Sequence, residues 1–269
     1  MVPASEAVLI TGATSGIGYE LAKLFARDRN DLVLVARSKD SLAQVAEELT
    51  REYGVSVKPV PKDLSSPTSP AELFAELRRE SIHIDVLVNN AGIGTYGSFV
   101  ETSLESELAM MRLNMMTLTH LTKLFLEAML ENERGKILNV ASTAAFQPGP
   151  LMAVYYATKA YVLWFSEALA NELRGSGVTV TCLCPGPTRS GFQERAGMEA
   201  SRLFTFGTMD AQAVAAIGYR GLMKNKTVIV PGLRNKLLAF SVRFVPRNLL
   251  PHLVRMMQDK LPEAVGRRP

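Results

Sequence analysis

Tyr155 and Lys159 stand four residues apart in the run Tyr155-Tyr156-Ala157-Thr158-Lys159, a spacing that brings a phenol and an ammonium to one face of a helix. A free tyrosine has a pKa of about 10, too high to exchange protons readily at neutral pH. A cation at about 4 Å, in an effective dielectric of about 20, contributes roughly 4 kcal/mol, enough to bring the phenol close to 7. The expectation is a general acid or base with a lowered pKa, although the same pair also occurs on many solvated helix faces. Upstream, Lys136 to Ser142 reads as a short buried strand with Ser142 at its carboxyl end, where open parallel sheets bind ligands. A helix N-cap or turn is the commoner use of such a serine. Asn114, between Leu113 and Met115, interrupts a helical pattern with a polar amide. Such a local conflict marks either a site or a core amide satisfied by backbone groups.

These residues need elements to hold them. Ala7 to Ile10 is a short apolar strand, followed at once by Thr11-Gly12-Ala13-Thr14-Ser15-Gly16-Ile17-Gly18 and an amphipathic helix through about Arg29. Gly12, Gly16 and Gly18 let the backbone turn and approach a pyrophosphate, and the free N–H groups at the helix start face the anion. The spacing differs from G-x-G-x-x-G, and a glycine loop without phosphate is the plainer alternative.

The pattern Thr-Gly-x-x-x-Gly-x-Gly, then Asn89-Asn90-Ala91-Gly92 after the strand Asp85 to Val88, then Asn114, Ser142 and Tyr-x-x-x-Lys, resembles the short-chain dehydrogenase/reductase family over about residues 5 to 231. The resemblance implies an α/β fold: a single-domain, Rossmann-type doubly wound parallel sheet of about seven strands, helices on both faces, and a nicotinamide coenzyme. It implies Tyr155 as proton donor to a substrate carbonyl and Ser142 as the hydroxyl that orients the carbonyl oxygen. Lys159 would lower the tyrosine pKa and hold the nicotinamide ribose, and Asn114 would hold a water that replaces the proton. Tyr156 is the competing tyrosine, about 100° round the helix. Coenzyme contacts are expected from Gly12, Thr14, Ser15, Gly16, Ile17 and Gly18. Asn90, Ala91 and Gly92, Asp63 and Leu64 near the adenine, Pro185, Gly186 and Thr188 near the carboxamide, and Tyr155 and Lys159 themselves complete the set.

Charge selects the coenzyme. Where relatives preferring NAD place an acid after the second strand, this chain has Ala36, then Arg37 and Ser38, which offer a guanidinium and a hydroxyl to a 2′-phosphate. NADPH/NADP+ is expected, and with it a reductase, or reversible alcohol dehydrogenase, acting on a small-molecule carbonyl or alcohol. A catalytically silent NADPH-binding sensor or scaffold is the alternative. A sugar-nucleotide epimerase is disfavoured, because too few residues follow Pro231 for a substrate domain. The pocket is expected to be apolar, lined by Phe146, Met152, Phe192, Met198, Leu203, Phe204 and Phe206, and to take a lipophilic ketone or aldehyde.

At 269 residues and 47% hydrophobic, the chain can bury one substantial core, and no internal repeat is visible. Two cysteines, Cys182 and Cys184, read as core packing in a reducing compartment, and the three histidines form no ligand cluster. Residues 1–6 lack a basic segment followed by an apolar one, so no secretory signal is expected, and the expected location is the cytoplasm or, peripherally, a membrane surface. Residues 1–231 hold 22 basic and 24 acidic residues, whereas 232–269 hold eight basic and two acidic. The chain therefore divides into a catalytic domain (1–231) and a basic amphipathic extension (232–269). Residues 232–257 either lie on an anionic membrane surface or cap the pocket or a subunit interface. A homo-oligomer, dimer or tetramer, is expected. Nucleic acid is not, since no recognition motif accompanies the charge.

Overall fold

The computed structural model of the protein describes residues 7–198, 201 and 207–259; Leu203, Phe204 and Phe206 lie outside the described residues. The strands are β1 (Ala7–Thr11), β2 (Asp31–Ala36), β3 (Val57–Pro61), β4 (Val86–Asn89), β5 (Gly135–Val140), β6 (Val178–Leu183), β7 (Thr188–Arg189), β8 (Met209–Asp210) and β9 (Val228–Ile229). The α-helices are α1 (Gly16–Arg27), α2 (Lys39–Tyr53), α3 (Ser69–Arg79), α4 (Leu104–Met111), α5 (Leu118–Glu131), α6 (Ala153–Glu172), α7 (Phe192–Ala196), α8 (Ala211–Met223), α9 (Leu233–Ser241) and α10 (Leu250–Gln258).

Seven strands form one parallel sheet in the order β3-β2-β1-β4-β5-β6-β9, and β7 pairs separately with β8. The central strands are nearly all apolar because both faces of the sheet are covered. Alternation sends Val8 and Ile10 of β1, and Leu32 and Leu34 of β2, into the core shared with α1, α2 and α8. Leu9, Val33 and Val35 point to the opposite core with Leu73, Leu121 and Phe125 of α3 and α5. The helices follow from the same arithmetic. In α2, Leu42, Val45, Ala46 and Leu49 form the buried stripe, Ser38 caps the start by accepting from Ser41 N, and Gly54 ends it in the left-handed conformation at φ 66°.

The strand order reverses between β1 and β4, so the loops after their carboxyl ends diverge and leave a crevice. β3 runs through Pro61 and α3 starts at Ser69, so only a short loop, 62–68, carries Asp63 between them. An edge strand tolerates Pro59 and Pro61, because the missing N–H groups need no outer partner there.

Candidate active site

The crevice holds a cavity of about 670 Å³ that runs from the glycine loop to Tyr155. Its floor is built from β1 and β4. The Thr11 hydroxyl donates to Val88 O and accepts from Asn90 N and Ala91 N, while Asn90 Nδ2 donates to Thr11 O and Gly12 O. Asn90 thus fastens the glycine loop to the next strand. Gly18 is where that packing is tightest: a Cβ there would stand 2.3 Å from Gly12 O and 2.4 Å from Asn90 Nδ2. Ser15 adopts an extended N-cap conformation without capping by its side chain, and the first turn of α1 carries no acid. The N–H groups of that turn therefore face the cavity as an anion site.

Arg37 and Ser38 line the cavity after β2, and Lys62, which the sequence reading overlooked, stands beside them. Lys62 is placed by its own N–H to Ala36 O, 2.9 Å, although its ammonium pairs with Glu72 at 3.2 Å. Asp63 accepts from Ser65 N and Ser65 Oγ, and these bonds, helped by Arg37, hold its carboxyl below the usual range. Leu64, Ala91, Gly92, Pro185, Gly186 and Thr188 also line the cavity. Thr143 N donates to Pro185 O, and the Thr188 hydroxyl donates to Gly186 O.

Tyr155, Ser142, Lys159 and Asn114 come together at the other end. Lys159 is buried; its Nζ donates to Val140 O at 2.8 Å and lies 5.9 Å from the centre of the Tyr155 ring. A Cβ at Gly92 would be 3.3 Å from Asn114 Oδ1 and 3.4 Å from Lys159 Nζ, so a glycine is what lets both approach the strand end. Ser142 combines its two expected uses: it accepts from Ala144 N as the cap of a short 3-10 turn, and its hydroxyl interacts with the Tyr155 phenol. Tyr156 also borders the cavity, but its ring packs so closely on Gly149 that a Cβ there would be 2.1 Å from it.

Two expectations, the Tyr155 pKa and the place of Phe146, need correction. Tyr155 is not lowered: burial pushes its pKa up to about 12, only partly offset by Ser142. Burial acts on the partner too and lowers Lys159 to about 8. The Tyr–Lys spacing revealed the pairing but not the desolvation of both groups, which opposes charge on each. Asn114 sits in a π-helical turn, Arg112–Thr117, between α4 and α5. Its amide Nδ2 donates to Ile93 O and Thr158 Oγ1, and Oδ1 accepts from Ile93 N. Phe146 does not line the cavity but packs against Ala145, Val162 and Cys182.

The substrate side of the cavity includes Met152, Phe192 and Met198 as expected, with Gln147, Ser190, Gln193 and Arg195 in addition. Ser190, Gln193 and Arg195 reach it through the chain from β7 into α7, and Gln147 through the loop that follows the 3-10 turn Thr143–Phe146. Thr158 was also missed: its hydroxyl donates to Tyr155 O and accepts from Asn114, tying α6 to the π turn. The extension divides. α10 buries Leu250 and Val254 against Met152, Tyr156 and Met198, and Tyr96 Oη donates to Gln258 O at 2.8 Å. By contrast, no residue of α9 is buried.

Comparison with known proteins agrees with this geometry. The short chain dehydrogenase family model matches residues 6–200. A ketoacyl reductase of Nostoc is 31% identical over 226 residues, 84% of this chain and 77% of that protein. The very-long-chain 3-oxoacyl-CoA reductase of Anas platyrhynchos is 37% identical over 66% of this chain, and the match spans 58% of that longer protein. A short-chain dehydrogenase of Sphingobium yanoikuyae, solved with NADPH, superimposes with a TM-score of 0.80 at 32% identity, covering 98% of this chain and 100% of that one. The chain is a member of the short-chain dehydrogenase family of oxidoreductases.

Proposed function

We propose that the protein is an NADPH-dependent reductase of a lipophilic ketone or aldehyde, with 3-oxoacyl thioesters the first class to test. The observation that carries this reading is one continuous cavity with the glycine loop and Arg37 at one end and Tyr155, Ser142 and Lys159 at the other. NADPH, when bound, supplies the hydride. The anion site at α1 fits its pyrophosphate, and Arg37, Ser38 and Lys62 fit a 2′-phosphate that an acid after β2 would repel.

Tyr155 is the proton donor. With a pKa of about 12 it holds its proton throughout the neutral range, which suits carbonyl reduction, and Ser142 orients the carbonyl oxygen. The reverse reaction needs the phenolate, so alcohol oxidation increases with pH. Lys159, at about 8, is charged at neutral pH and stabilises negative charge as the proton leaves. Asn114 holds the Ile93 backbone and Thr158, and so acts as a positioning residue for Tyr155 and Lys159. Met152, Phe192 and Met198 make an apolar wall, and the ketoacyl reductases among the relatives point to an acyl chain against it.

Residues 1–231 form the catalytic unit and 232–269 the extension, of which α10 closes the substrate side. Exposed Met116, Tyr161 and Trp164 on neighbouring elements fit a second copy, giving a dimer or tetramer. A monomer by light scattering at micromolar concentration would contradict this. The free thiols Cys182 and Cys184, 3.7 Å apart, suit the cytoplasm.

The test is NADPH oxidation over a panel of 3-oxoacyl thioesters, bulky ketones and aldehydes. The expected result is turnover with at least one lipophilic class. Tight NADPH binding with silence across the panel would favour a coenzyme-binding sensor instead.

A further inference from the structure

Helix α9 and the turn after it leave large apolar side chains in solvent. Leu233, Leu237, Phe240 and Phe244 are 74, 60, 55 and 74% exposed, and their separations of four, three and four residues place them along one side of the helix and its 3-10 continuation, Val242–Phe244. Phe240 and Phe244 pack edge to face at 5.2 Å, so the stripe is preformed. The helix is anchored at its start, where Asn235 Nδ2 donates to Pro231 O and the amide covers Gly186 on the cavity wall.

Charge identifies the occupant. From 232 to 249, across α9 and the turn after it, the chain has Arg234, Lys236, Arg243 and Arg247 and no acidic residue. The Arg243 guanidinium lies 5.9 Å from the Phe240 ring, beside the stripe. A second copy packed face to face here would oppose these cations to their own counterparts, whereas an anionic surface complements both the charge and the apolar row.

The geometry points to a docking surface for an anionic lipid bilayer, with α9 lying in the membrane plane and Leu237, Phe240 and Phe244 entering the boundary between headgroups and acyl chains. Among the described residues no helix is long and apolar enough to cross a membrane, so the contact is peripheral. α10 is not part of it, because its Leu250 and Val254 already face the protein. The contact needs no turnover, so it can be tested whether or not the reductase reading holds.

The experiment is flotation of the full chain with phosphatidylcholine vesicles and with vesicles containing about 30 mol % phosphatidylserine. Binding is expected only to the anionic vesicles, and at about 0.5 M salt it should weaken. The double variants Phe240→Ser/Phe244→Ser and Lys236→Glu/Arg243→Glu should each weaken it at least about tenfold, with wild-type unfolding midpoints showing that they fold. No flotation of the full chain, equal binding to neutral vesicles, or undiminished binding by both variants would overturn the assignment. Dissociation of an oligomer by the same substitutions would give this face to a second copy.

Discussion

Lys159 is where burial and charge conflict most sharply. Its native pKa is about 8 against an ordinary 10.5. Below about pH 8 both native and unfolded chains carry the proton, and the fold bears the full cost of desolvating the ammonium. Between about 8 and 10.5 the unfolded chain binds more protons than the native one, so this group's contribution to stability rises with pH and levels off above that window. Lys159→Met should therefore raise the unfolding midpoint near neutral pH by roughly 2–4 °C and remove the rise across that window, while turnover falls at least about 100-fold. Thermal unfolding across pH checks the first part; a lower midpoint near pH 7 would contradict it. Arg37 is a separate test. A hydrogen bond to a charged partner contributes about 1.5–3 kcal/mol, so Arg37→Ala should raise KM for NADPH roughly 10- to 100-fold and leave KM for NADH nearly unchanged. The four polar residues of the catalytic end were legible because their types have few uses at those separations. The direction of the Tyr155 shift was not, since spacing reveals which groups meet but not how little water surrounds them.

At the scale of elements, the strand–loop–helix unit at the N-terminus was readable because its glycines mark places where the backbone itself must approach. Gly12 and Gly16 have φ of 68° and 58°, where a side chain is strained, and Gly18 has no room for a Cβ. Gly18→Ala must push the loop off Asn90 and is expected to cost about 1–3 kcal/mol of stability and to weaken NADPH binding more than it alters kcat. Coenzyme titration by fluorescence, beside thermal unfolding, checks both effects; wild-type affinity would show that the loop does not cradle the phosphates. The π turn at Asn114 was not readable. The sequence pattern there continues through an ordinary helix, and the extra residue per turn becomes visible only when Asn114 is seen bonded to Ile93 and Thr158. The same limit applies to α7, whose five residues carry no periodicity.

Over the whole molecule, the sheet order brings residues more than a hundred positions apart to one edge. The β1–β4 reversal opens the crevice, the loop after β5 supplies Ser142, α6 supplies Tyr155 and Lys159, and the chain beyond β6 returns through α7 and α10 to wall the substrate side. The alternation of strand and helix patterns was enough to foresee the doubly wound sheet, because each local pattern agrees with the global fold. It was not enough to assign the extension, whose α9 and α10 share a basic, apolar composition yet differ completely in burial. What distinguishes them is shape complementarity to the cleft, a property of tertiary contact. The central claim, that one cleft binds NADPH and lets Tyr155 protonate a carbonyl, is tested most directly by measuring NADPH affinity and kcat together for Tyr155→Phe and Tyr156→Phe. Loss of only the reacting hydroxyl should lower kcat by at least about 100-fold in Tyr155→Phe with coenzyme affinity within about threefold of wild type, and Tyr156→Phe should keep most of its turnover. Full turnover by Tyr155→Phe, or loss confined to Tyr156→Phe, would contradict it.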